Sequence, residues 1–156
     1  MKREISLSII IPTLNEAKNL PLLLSDLAEI KEISEIIVID SNSKDATKDI
    51  ASIYGAKCFN TMEQNRGFQL NKGAKSAKGN WLLFIHADSR LNQNWSKEIS
   101  NILSLDNKYI YFFSFKVNNN SLIFRFLELI VNLRTLILKT PYGDQGLLIN
   151  REIYFK

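Results

Sequence analysis

A chain of 156 residues, 46% apolar and 23% charged, has the make-up of one ordinary globular domain, large enough to bury a core without staples. Its 20 basic and 16 acidic residues leave a net charge of +4, which suits an anionic small molecule or an acidic membrane surface. They are scattered, with no Lys/Arg block and no aromatic-stacking motif, and so argue against a nucleic-acid partner.

The opening "MKREISLSIIIPTL" has a short apolar run that ends at Pro12 with no small-residue cleavage site behind it, so a first β-strand over 5–11 is expected in place of a leader. Leu20, Leu23, Leu24 and Leu27 then recur at the spacing of one helical face, and Pro21 is tolerated only in that helix's first turn. Strands are expected at 35–40, 56–60 and 80–86, alternating with helices at 44–54 and 68–78. Cys58, the single cysteine, lies in the third strand; it excludes an internal disulfide, reads as a small buried hydrophobe, and fits a reducing, cytoplasmic setting. A helix near 94–104, a strand at 109–117, a helix at 121–139 and a strand at 146–150 complete the pattern. In the 121–139 segment Arg125, Glu128, Asn132, Thr135 and Lys139 form one polar stripe. Its wide apolar face either covers the sheet, meets a partner subunit such as a second copy, or lies peripherally on a membrane surface. No run of about 18 apolar residues is present to span one.

Alternating strands and helices with short connections predict an α/β fold around a mainly parallel sheet. Ligands of such sheets bind outside the carboxyl ends of the strands, so the segments after each strand deserve the closest reading: "PTLNE", "DSNSKD", "NTMEQNRG" and "HADSR". No G-x-G-x-x-G follows the first strand, and "GAKSAKGN" lacks the P-loop order and precedes a strand, which excludes the two commonest phosphate motifs. Asp40 closes the second strand and is placed either to accept hydrogen bonds from a base or ribose or to help Asn42 or Ser43 cap the next helix. "TLNE" (13–16) matches a capping box. Arg66, beside Gly67 and just ahead of the third helix, suits a diphosphate, with an exposed loop arginine as the plain alternative. Alternation along an extended fourth strand puts His86 and Asp88 on one side. A divalent cation bound to a diphosphate would there prefer the oxygen of Asp88, with His86 as a second ligand or a structural residue.

Taken together, "SIIIPTLNEAKNLPLLLSDL", "EIIVIDSNSKDATKDIA", "GAKCFNTMEQNRGFQLNKGAKSAKGNWLLFIHADSRL" and "YGDQGLLINREIYF" resemble the family 2 glycosyltransferases of GT-A fold, over nearly the whole chain. The nearest resemblance is to a bacterial subgroup carrying "HAD" where most members carry D-x-D. It implies a three-layer α/β/α sandwich with a mostly parallel, mixed sheet, forming one nucleotide-sugar-binding domain over 1–156. It also implies inverting transfer of a sugar from a UDP- or GDP-linked donor to an acceptor hydroxyl, with Mn²⁺ or Mg²⁺. Carried across, Pro12, Thr13 and Glu16 line the nucleoside pocket, Asp40 contacts the base, and Arg66 lies near the base or diphosphate. Asp88 stands at the metal-binding aspartate, and His86 replaces the other acid. In such enzymes a further acidic residue, beyond the strand that here reads "GLLIN", takes the acceptor's proton. The expectation is then that the 156 residues lack this acceptor and base region, or that Asp144 in "YGDQ" serves, or that the chain is not a competent transferase alone. A tight turn at Pro141–Gly143 explains the placement of Asp144 equally well. The rival readings are a nucleotide-sugar-binding module without turnover, and a sugar-phosphate nucleotidyltransferase, for which the Gly- and Arg-rich loop after the first strand is missing.

Overall fold

The computed structural model describes residues 5–92, 94–105, 109–114, 116, 121–138 and 146–156. Strands β1 (Leu7–Thr13), β2 (Ile33–Asp40), β3 (Lys57–Asn60), β4 (Trp81–Phe84), β5 (Ile110–Phe112) and β6 (Leu147–Asn150) form one sheet in the order β3-β2-β1-β4-β6-β5. The first four are parallel, and β6 runs antiparallel to both β4 and β5. The expected mixed, mostly parallel sheet is therefore present.

Its two faces are covered by different helices. On one face α1 (Leu20–Leu27), α2 (Thr47–Ile53) and α4 (Trp95–Leu103) pack on Leu7, Ile9, Ile11, Val38 and Leu83. The predicted leucine stripe supplies α1's contribution, since Leu20, Leu23, Leu24 and Leu27 are all at most 2% exposed. On the other face α3 (Arg66–Ser76) and the short α6 (Arg151–Tyr154) meet Ile10, Ile37, Ile39, Leu82 and Phe84. Successive β1 residues thus feed opposite cores, which is why the run "III" (9–11) is apolar throughout. Three layers result. Burying Leu, Ile or Val side chains at about 1.5–3 kcal/mol each makes these two cores the main stabilising term.

Of the three placements the sequence leaves open for helix α5 (Leu122–Leu138), sheet cover is not the one its described residues adopt. Leu122, Ile123, Phe126, Leu129, Leu133 and Ile137 are all at least half exposed, and the buried residue is Glu128, paired with Arg125 at 2.8 Å. The helix forms over 122–138 as its periodicity predicts, but the described part does not lay its apolar side on the sheet. Among the described residues no helix is long and apolar enough to cross a membrane.

Candidate functional site

The order of the strands creates the site. The chain passes from β1 to β2 and β3 on one side, then returns through α3 to set β4 on the other, so the carboxyl ends of β1 and β4 flank a topological switch point. Pro12 opens it further. The alternation that lets the Ile10 carbonyl accept from Ile85 N (3.1 Å) also turns Pro12 toward β4, and proline has no N–H with which to extend that ladder. Pairing between β1 and β4 stops at Ile10–Phe84, whereas pairing with β2 continues to Thr13–Asp40.

A cavity of about 300 Å³ lies at this point, in the size range of small-molecule sites. Pro12 and Thr13 line it at the end of β1, Glu16 from the loop that follows, and Ser41 after β2. Arg66 and Gln69 reach it from the start of α3, and His86 and Asp88 from beyond β4. Of the residues singled out in the sequence, Pro12, Thr13, Glu16, Arg66, His86 and Asp88 therefore share one lining. Asp144 lies outside the described residues.

The walls are stiffened by bonds between the loops after β1 and β2. Asn15 N donates to Ser43 Oγ (2.8 Å), Lys44 N to Asn15 Oδ1 (2.9 Å), Glu16 N to Thr47 Oγ1 (2.8 Å) and Ala17 N to Asp45 Oδ2 (3.0 Å). Asn15 and Asn42 both adopt positive φ, 56° and 59°, a conformation asparagine tolerates better than most residues. Two local expectations are corrected here. "TLNE" forms no capping box: Thr13 Oγ1 donates to Asp40 Oδ1 at 3.0 Å, and α1 starts at Leu20 with Asn19 before it. Nor do Asn42 and Ser43 cap α2, which begins at Thr47 after Ala46; Ser43 binds Asp40 instead.

Asp40 is fully buried beneath the cavity and is not part of its lining. Its carboxylate accepts from Thr13 Oγ1, Ser43 N and Ser43 Oγ. Burial first, and the nearby Asp40 charge second, push the half-buried Cys58 thiol up, so this cysteine is a poor nucleophile.

Arg66 is exposed at the first position of α3, whose cap is Asn65, accepting from Phe68 N at 3.0 Å. It is thus inside the helix's first turn, where the helix dipole and the guanidinium act on an anion together. His86 and Asp88 are not on a strand, because β4 ends at Phe84. They sit on a turn in which Ser89 N donates to the His86 carbonyl at 3.1 Å. The turn, and not strand alternation, brings both to the cavity, with His86 mostly buried and Asp88 exposed.

Among the described residues no cluster of three or more His, Cys, Asp or Glu is built to cage a metal. One exposed carboxylate with an imidazole two residues away does fit a hard cation that takes its remaining ligands from phosphate oxygens and water.

The glycosyl transferase family 2 profile matches residues 8–153. The chain belongs to this family. This family 2 chain is 37% identical over 100 residues to the 4,4'-diaponeurosporenoate glycosyltransferase of Staphylococcus haemolyticus, a match covering 60% of the chain and 27% of that protein. TarS of S. aureus, solved in complex with UDP-GlcNAc, superposes with a TM-score of 0.63 at 27% identity, over 76% of this chain and 37% of that one. The mannosyltransferase PcManGT of Pyrobaculum calidifontis, solved with GDP-Man and Mn²⁺, gives a TM-score of 0.73 at 17% identity, over 99% of this chain and 47% of that one. The second likeness is one of fold, and the fold is GT-A. The chain spans between about a quarter and a half of the length of these relatives.

Two lining residues of this family 2 chain escape a motif-based reading. Gln69 is buried, and its Nε2 donates to the Thr13 carbonyl (3.1 Å) and the Ile39 carbonyl (2.7 Å), bridging β1 and β2 under the cavity floor. Ser41 donates to the Glu63 carbonyl at 2.8 Å and holds the loop that leads to Arg66. The available signal for Gln69 was its spacing three residues after Arg66, on the same face of α3.

Proposed function

We propose that this chain binds a nucleotide-diphosphate sugar, UDP- or GDP-linked, and transfers the sugar with inversion to an acceptor hydroxyl. The single observation that carries the reading is that one cavity at the β1/β4 switch point unites Thr13, Glu16, Arg66, His86 and Asp88. The nucleoside lies along Pro12, Thr13 and Glu16, and the diphosphate runs toward Arg66 and Asp88. Asp40 acts from beneath, holding Thr13 and the 41–43 turn. A base N–H that reaches Asp40 itself must displace Thr13 or Ser43 from its carboxylate. Asp88, with His86 beside it, would hold Mn²⁺ or Mg²⁺, which when bound stabilises the negative charge of a leaving diphosphate. Arg66 holds the same oxygens as a fixed positive charge. Asp144 takes the acceptor's proton as the hydroxyl attacks the anomeric carbon on the face opposite the diphosphate.

A second reading, a binding module without turnover, has one observation in its favour: the acids in the described cavity lining are Glu16 and Asp88, and Glu16 Oε2 already accepts from Asn19 Nδ2 at 2.8 Å. Assays for transfer and for slow hydrolysis of UDP- and GDP-sugars separate the two. Turnover abolished by Asp144→Asn supports the transferase; tight binding with no sugar released supports the module.

A further inference from the structure

The segment between β4 and α4 carries Asp88, yet Asp88 makes no hydrogen bond or ion pair with the described residues. Its direction is therefore set by its own backbone. That backbone is anchored in the core by the buried Ile85 and Ala87 and folded by the Ser89 N–His86 carbonyl bond, and hydrogen bonds to other elements hold its two ends. At its start Ile85 N donates to the Ile10 carbonyl at 3.1 Å. At its end one carboxylate takes three bonds: Asp26 Oδ2 accepts from Arg90 Nε (2.8 Å) and Leu91 N (3.1 Å), and Asp26 Oδ1 from Arg90 Nη2 (2.9 Å).

We infer that Asp26, in the last turn of α1 and outside the cavity, is a positioning residue that aims Asp88 through its bidentate pair with Arg90. This rests on the reading of Asp88 as the cation-holding carboxylate. Arg90 in "HADSR" invites assignment as a phosphate ligand, but it does not line the cavity, and its fork is spent on Asp26. Nor is the pair needed to hold α1, which four buried leucines already fasten to the sheet. What depends on Asp26 is the exit of a segment with no sheet partner. The Asp26 side chain is 17% exposed and that of Arg90 54%, so the two-point fork, and not burial, holds the pair in one geometry. Residues that orient a metal ligand from behind are ordinarily worth 10–100-fold in metal affinity.

The test compares wild type, Asp26→Ala, Arg90→Ala and the double variant by calorimetry with UDP and with GDP, each with and without Mn²⁺, alongside amide hydrogen exchange. The inference predicts that Asp26→Ala lowers Mn²⁺-dependent diphosphate affinity about 10-fold and leaves metal-free affinity within about 2-fold. The double variant is then no worse than the worse single one. Exchange rises at residues 86–91 while β1 and β4 stay protected. Equal losses with and without Mn²⁺, or faster exchange with Mn²⁺ dependence intact, would overturn it. If Asp88→Ala leaves wild-type Mn²⁺ dependence unchanged, the reading of Asp88 fails, and the positioning role fails with it. The exchange data still report whether Asp26 holds the segment.

Discussion

Thr13 and Asp40, the last residues of β1 and β2, face each other in the sheet register and are joined by a 3.0 Å hydrogen bond below the cavity floor. With Ser43 bound to the same buried carboxylate, the two strand ends and the turn after β2 become one unit. Asp40→Ala removes the acceptor of three buried donors, and each unsatisfied buried group costs about 1–3 kcal/mol. The expected loss is about 3 kcal/mol in urea unfolding, with weakened UDP or GDP binding. Thr13→Val, which removes one donor, should cost about 1 kcal/mol.

Gln69 offers a sharper test of the same floor. Its amide donates to two backbone carbonyls; an ionised glutamate could donate to neither, and a protonated one to a single carbonyl. Gln69→Glu should therefore destabilise more than Gln69→Leu at pH 7.5, and the gap should close as the pH falls toward 5. Thermal melts of both variants at the two pH values check this; a gap independent of pH would show that the bridge does not matter.

At the opposite, amino edge of the sheet, Glu35 ties four segments together. It accepts from Ser8 Oγ (2.7 Å), Lys57 Nζ (2.6 Å) and Lys78 N (2.6 Å), and the same Ser8 Oγ accepts from Gly79 N (2.9 Å). Burial raises this carboxyl's pKa, but the bonds from Lys57, Lys78 N and Ser8 outweigh burial and bring it from 4.5 to about 2. The folded value lies below the unfolded one, so the stabilisation is complete above about pH 4.5 and is lost as the pH falls toward 2. Its size is on the order of 2 kcal/mol. Glu35→Gln should lower Tm at pH 7 and flatten the acid limb between those values; parallel pH profiles for the two proteins would refute the assignment.

Much of the architecture was readable because its cause was local. The leucine stripe of α1 and the Ile-rich runs of β1 and β2 are periodic signals, and each became the element expected within a few residues. What was illegible depended on contacts between distant segments. "TLNE" carries the spacing of a capping box, yet Thr13 finds Asp40, 27 residues away, before it can serve a helix. His86 and Asp88 looked like strand neighbours because nothing in "LLFIHAD" marks the end of pairing; the end is imposed from β1 by Pro12. The bidentate partner of Arg90 lies on α1, and no motif links the two. Helix α5 was foreseen from its periodicity, but the choice among sheet, second copy and membrane was left open, since a periodic pattern specifies a face and not what meets it.

That exposed face of α5 makes a membrane or a second copy the partner to test. If it lies on lipid, the full chain should float with vesicles containing anionic lipid, and Phe126→Glu with Ile130→Glu should abolish flotation without altering Tm by more than a few degrees. Concentration-dependent mass in light scattering, abolished by the same pair, would assign the face to a second copy instead.

The central claim is that Asp88 anchors a cation which grips the phosphates of a sugar nucleotide. Calorimetry of UDP and GDP with and without Mn²⁺, on wild type and Asp88→Ala, tests it most directly. The account predicts that Mn²⁺ strengthens wild-type binding at least about 10-fold, and that Asp88→Ala abolishes this gain while the folded state keeps its Tm. Equal diphosphate affinity in the two proteins, with Mn²⁺ present, would contradict it.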